Sequence, residues 1–71
     1  MPKHHFTLNL SAQQVLELYR YPDYRLLVRT QANRRLSIPF RHFRPLVTQA
    51  GLSGRFEAVI DGSRLIELRR V

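Results

Sequence analysis

The sequence contains no cysteine, no tryptophan, one methionine and only three glycines. Without cysteine there is neither a disulfide nor a thiolate zinc site to support a small core. Stability must come from packing alone, in a chain whose length lets it bury only about 60% of the surface its unfolded form exposes. No apolar run approaches the ~20 residues that cross a bilayer. The start, Met1-Pro2-Lys3-His4-His5-Phe6, lacks the uninterrupted apolar stretch of a secretory signal. A cytoplasmic protein without a membrane partner is therefore expected. The glycines, Gly51, Gly54 and Gly62, form no phosphate-cradling loop. Acidic residues are scarce as well. Five stand against twelve basic ones, giving a formal net charge of +7.

What is present is ordinary in its hydrophobic share, 44%, and in its charged share, 24%, which excludes wholesale disorder. Seventy-one residues make a single domain over 1–71, too small for a multi-domain enzyme or a large parallel sheet. The basic set is unusual in kind: eleven of the twelve are arginine, and Lys3 is the exception. Arginine presents a planar donor fork that fits phosphate and carboxylate, and it stacks on bases. Nucleic acid is the first partner this suggests, and an acidic protein the second. A GC-rich genome, or selection for solubility through charge, would produce the same composition.

Periodicity gives the elements. Phe6, Leu8 and Leu10 alternate with polar residues, as in a strand with one buried face. Ser11-Ala12-Gln13-Gln14 reads as a capping box opening a short helix over about 12–20, with Val15, Leu18 and Tyr19 on its apolar face, ended by Pro22 and Asp23. Leu26 and Val28 mark a second strand over about 24–30, and Leu36 and Ile38 a third, ended by Pro39. Asn33, in the loop between them, suits the left-handed conformation. Residues 40–47 read as a helical turn or irregular crossing, with Phe40, Phe43, Leu46 and Val47 leaning on the core. Gly51 and Gly54 frame Leu52 as two backbone bends. Phe56, Ala58 and Ile60 form a fourth strand, and Ile66 and Leu68 a fifth.

The predicted class is α+β: a small curled antiparallel sheet of about five strands with one N-terminal helix, in the order β-α-β-β-turn-β-β. Whether such a sheet closes into an SH3-like or Sm-like barrel is left open by the pattern. A three-residue loop at 31–33 pairs Val28 with Leu36 and Leu26 with Ile38, all inward. A three-residue loop at 61–63 pairs Ala58 with Ile66 and Phe56 with Leu68. The outer face then carries Arg25, Arg29 and Arg35 on the first hairpin, with Arg29 across from Arg35. On the second it carries Arg55, Glu57, Glu67 and Arg69, with Arg55 across from Arg69. Like charges directly opposed are unfavourable. Diagonal contacts to Glu57 and Glu67 relieve the second hairpin, whereas the first has no acid of its own on that face.

Catalytic machinery is not legible. Nearby arginines should keep Glu57 and Glu67 ionised rather than split their pKa values, as acid–base work requires. No serine sits in a nucleophile elbow. His4 and His5 would point to opposite faces of a strand, so a site joining them to His42 on one metal ion is not expected. Phe40-Arg41-His42-Phe43-Arg44 resembles an aromatic–basic stacking surface, although phenylalanines three apart more often anchor a helical turn. Arg41 and Arg44 share that spacing and would form a basic ridge. In Tyr19-Arg20-Tyr21-Pro22-Asp23-Tyr24-Arg25 the rings are read mainly as structural, with Tyr21 left exposed.

Asn9-Leu10-Ser11, Ile38-Pro39 followed by His42-Phe43-Arg44-Pro45, and Gly51-Leu52-Ser53-Gly54-Arg55-Phe56 resemble a small bacterial family of unknown function, whose members have about this length. Some members carry a topoisomerase-like label. Strand passage needs a nucleophilic tyrosine in a large gate and an ATP-driven clamp, which a chain of this size cannot house. The resemblance implies a free-standing domain and supplies no site residues.

The expectation is a non-catalytic module without cofactor or metal, contacting nucleic-acid phosphates through Arg25, Arg29, Arg35, Arg41 and Arg44. The alternative is a protein-interaction or self-associating domain, motivated by Leu27, Val59 and Leu65 on the outer side.

Overall fold

The alternation around Phe6 to Leu10 is realised in strand β1, Lys3–Leu10, in a computed structural model that describes residues 2–21 and 23–71. Ser11 then caps the helix α1, Ala12–Leu18. The Gln14 N–H donates to Ser11 Oγ at 3.2 Å, and the Ser11 N–H donates to Gln14 Oε1 at 2.9 Å. Two backbone donors that a helix start leaves unpaired are thus satisfied reciprocally. Val15 is the helix's buried residue. The helix is shorter than the expected span, turning after Leu18; of its expected stop signals, Pro22 lies outside the described residues.

β2, Arg25–Arg29, and β3, Arg35–Pro39, form the first hairpin. Val28 pairs with Leu36, Leu26 with Ile38 and Arg29 with Arg35, as the apolar pattern requires. Thr30 N–H donates to the Arg34 carbonyl at 2.8 Å, and Asn33 takes a φ of +61° in the loop. Two 3₁₀ turns follow, Phe40–His42 and Arg44–Leu46. They bury Phe40 and Phe43 completely and lay Leu46 and Val47 against the core. β4, Leu52–Asp61, and β5, Arg64–Arg70, complete the chain.

The expected single five-stranded sheet is found as two sheets. β1, β4 and β5 form a three-stranded sheet in the order β1-β4-β5, and β2 and β3 form a two-stranded one. All strand pairs are antiparallel. β1 pairs with β4 over its whole length, but meets the first hairpin only where Phe6 bridges Thr30 and the Gln31 N–H reaches the His5 carbonyl at 2.9 Å. The two sheets therefore share one bridge. They do not close into a barrel, because β3 and β5 remain unpaired edges among the described residues.

The core fills the space between them. Phe6 stacks on Phe56 with ring centroids 5.8 Å apart, and the Phe43 ring meets both edge-on at 6.2 and 5.9 Å. Such offset and edge-to-face contacts stabilise aromatic pairs by about 0.5–1.5 kcal/mol beyond the area they bury.

The second hairpin departs from the predicted register. Its turn is the two residues Gly62-Ser63 between the paired Asp61 and Arg64, with Gly62 at a φ of +64°. A glycine with positive φ at the first central position is what a tight hairpin turn of the II′ kind requires. The register then shifts between Val59 and Ile60, so that Ala58 faces Leu68 and Phe56 faces Arg70. The extra residue is Ile66. It is exposed, while Leu65 packs against the core, which reverses the expected placement of these two side chains. A bulge carries one residue out of the alternation, and a pattern of strict period two cannot show it. Gly54, expected at a bend, lies inside β4.

Gly51 is the tightest point of the chain. Its φ is +108°, and a Cβ there would stand 2.2 Å from the Leu10 carbonyl oxygen and 2.7 Å from the Ala12 nitrogen. The β4 entry thus packs directly on the β1–α1 junction. Gly51→Ala should reduce stability by more than about 3 kcal/mol, combining positive-φ strain with backbone overlap. Nothing lies within 4 Å of a Cβ at Gly62, so Gly62→Ala should cost about 1 kcal/mol. Urea unfolding of the two variants measures the difference; equal midpoints would refute the close approach at Gly51.

Candidate nucleic-acid interface

Arginines at 25, 29 and 35 alternate with the buried residues of the first hairpin, so all three lie on its exposed face. Arg29 and Arg35 are directly opposite each other. Neither guanidinium has a hydrogen-bond or ion-pair partner among the described residues. With Leu27 and Val28 they line an open depression of about 230 Å³. Arg25 is held in place: its Nε donates to Ser37 Oγ at 2.7 Å and its Nη2 to the Ser37 carbonyl at 2.9 Å. These contacts are neutral and leave its charge uncompensated.

Arg41 and Arg44 are exposed but lie on the 3₁₀ turns rather than on the hairpin face. The Arg44 guanidinium stands over the Tyr19 ring, 5.5 Å from its centroid, and Tyr19 packs edge-on against Phe40 at 5.3 Å. Phe40 and Phe43 are wholly buried, which removes them as a base-stacking surface. Tyr19 and Tyr24 are exposed along with Tyr21, whereas the sequence reading leaves Tyr21 alone outside. Tyr24 is held by its backbone, whose carbonyl accepts from the Phe40 N–H at 2.8 Å.

One exposed cation of this hairpin was missed by the strand alternation. Arg34 sits in the loop, with its N–H on Thr30 Oγ1 at 3.1 Å. Its position beside Asn33 was the available signal. Arg70 is committed to structure: Nη1 reaches the Ser53 carbonyl at 2.6 Å, Nη2 the Leu46 carbonyl at 2.9 Å, and the guanidinium covers the Phe56 ring at 5.3 Å.

The ion-paired acids, Glu17, Glu57 and Glu67, lie off this hairpin. Glu57 is only 7% exposed. It accepts from His5 Nε2 at 2.9 Å, and Arg69 lies 3.0 Å from its other oxygen. Arg69 also approaches Glu67 at 3.6 Å, and Arg20 approaches Glu17 at 3.8 Å. The predicted opposition of Arg55 and Arg69 is corrected here: the bulge sets Arg69 across from Glu57. His5, expected to be solvated, is instead the partner of a buried carboxylate, because β1 lies beside β4 with His5 opposite Glu57. His4 projects to the other face, and among the described residues no three His, Asp or Glu side chains gather as a metal site.

The chain belongs to a family of proteins of unknown function, DUF2835. The family's model matches residues 2–71, nearly the whole chain. No curated protein and no solved structure matches it. Family membership therefore adds no assigned residue to the geometry. No helix among the described residues is long and apolar enough to cross a membrane.

The His5 hydrogen bond, ahead of the charges of Arg69 and Lys3, draws the Glu57 carboxyl below its ordinary value, against the opposing effect of burial. A carboxylate favoured in the folded state stabilises the fold fully above the ordinary glutamate pKa, about 4.3. That contribution is lost as pH falls through the lower folded value. Glu57→Gln should accordingly flatten the acid limb of stability against pH. Thermal unfolding scans between neutral and acid pH test this, and an unchanged acid limb would count against the pairing.

Proposed function

We propose that this chain is a small non-catalytic binding module that holds nucleic-acid phosphates on the exposed face of its first hairpin. One observation carries the reading: Arg29 stands directly opposite Arg35, without a carboxylate partner, in a chain whose ion-paired acids all lie on α1 or on the other sheet. Opposed like charges destabilise a strand pair, and an anion between them relieves that repulsion. Arg25 and Arg34 extend the positive surface along the same hairpin. Arg41 and Arg44, on the adjoining 3₁₀ turns, supply further contacts to a longer ligand.

Self-association through the unpaired edges of β3 and β5 or an apolar patch is the alternative reading. Leu27 is 76% exposed, but Leu65 packs on the core and Val59 is half-buried.

Binding to mixed-sequence DNA should weaken steeply with salt, by about 0.9 log unit per tenfold salt for each duplex phosphate contacted. Arg29→Ala with Arg35→Ala should lower affinity and reduce that slope by about two phosphate contacts. Fluorescence anisotropy across a salt series measures both quantities. Binding indifferent to salt, or retained by the double variant, rejects the reading. A salt-resistant dimer in light scattering would favour self-association instead.

A further inference from the structure

The cationic face of the first hairpin carries an apolar step. Leu27 lies between Arg25 and Arg29 on β2, opposite Ser37, with its side chain 76% exposed. Along a strand, positions on one face recur about every 7 Å. The face therefore presents a guanidinium, an apolar side chain beside it, and then the opposed Arg29–Arg35 pair. The depression over Leu27 and Val28 opens directly onto that pair.

From this order we infer that the ligand is a single strand, with one unstacked base resting on Leu27 and Arg25 and its neighbouring phosphate held between Arg29 and Arg35. This inference rests on the phosphate-binding reading and narrows it. A duplex keeps the faces of its bases stacked inside and offers phosphates and base edges. Against such a surface Leu27 has nothing apolar to cover. A single strand alternates charged phosphates with flat, sparingly solvated rings, and such ligands are recognised by stacking beside a basic track.

Arg25 adds a planar group to the apolar step. Its Nε and Nη2 each give one N–H to Ser37, which pins the guanidinium plane and takes up one of its two edges. What remains is the end edge of Nη1 and Nη2 and the flat face, held on the same side of the hairpin as Leu27. A pinned guanidinium plane is suited to stacking on a ring. The buried phenylalanines cannot serve this purpose, and on the face that carries the Arg29–Arg35 pair the neighbouring surface for a base is Leu27 with Arg25.

The test compares an oligothymidylate with a duplex hairpin of mixed sequence, using the full chain and three variants. Leu27→Ser should weaken single-strand binding by about tenfold and leave duplex binding unchanged. Arg25→Lys keeps the charge but removes the plane, and should act in the same direction. Leu27→Trp introduces the only tryptophan of the chain; its fluorescence should be quenched by the oligothymidylate and not by the duplex. Thermal melting coincident with the parent shows that the Leu27 variants remain folded, as an exposed side chain allows. Equal affinity for the two probes, with Leu27→Ser indifferent, overturns the single-strand inference and leaves phosphate binding intact. Failure of both probes to bind at low salt removes the phosphate reading and this one with it. Preference for an acidic peptide over the oligothymidylate also overturns it.

Discussion

The contact among Phe6, Phe43 and Phe56 is the constraint on which the rest of the molecule depends. The three rings come from β1, from the 3₁₀ segment and from β4. Phe6 is also the residue at which the first hairpin bridges to the three-stranded sheet. One side chain therefore joins both sheets and the segment between them. In a domain this small, a core without disulfide or metal must use its large apolar side chains inside. All four phenylalanines are buried. The outer faces are left to arginine, and the most exposed apolar residue of the hairpin surface is a leucine.

The two hairpins dispose of their arginines differently, and the difference comes from one irregularity. Without the shift between Val59 and Ile60, the register set at the Asp61–Arg64 turn would oppose Arg55 to Arg70, as the first hairpin opposes Arg29 to Arg35. The bulge moves Arg69 onto Glu57, and β1 adds His5 from the other side. A row of His5, Glu57 and Arg69 then crosses all three strands, with charges of both signs. The first hairpin has no third strand along its face, and among the described residues none of its arginines is ion-paired, so its charges remain available. One sheet mixes acids with its cations and the strands of the other carry arginines alone, a division that net charge does not reveal.

Much of the fold was legible because it is local. The capping box needs Ser11 and Gln14, three residues apart. The first hairpin needs Leu26, Val28, Leu36 and Ile38 with a short loop at Asn33. Phe40 and Phe43 as core anchors follow from their spacing and from the scarcity of other large apolar residues. The second hairpin was misread because Asp61-Gly62-Ser63 admits more than one turn, and a bulge leaves no mark in a period-two pattern. Leu65 and Ile66 are adjacent and chemically alike, so no hydropathy argument separates them. The partnership of His5 with Glu57 was illegible, since those residues are 52 positions apart and only the antiparallel pairing of β1 with β4 aligns them.

The sequence by itself determined a small antiparallel α+β domain with one capped helix, and an arginine-rich hairpin face free of acids. Alternation and capping act over a few residues, and such interactions are specified by neighbours in the chain. Tertiary structure decided that the strands form two sheets, joined where Phe6 bridges Thr30. It also decided that Gly51 must be glycine against the Leu10 carbonyl, and that Glu57 is paired with His5 and Arg69 while Arg29 and Arg35 face each other with no ion-pair partner among the described residues. Those outcomes depend on which strands lie side by side, and side-by-side placement is set by packing of the whole core rather than by any segment of it.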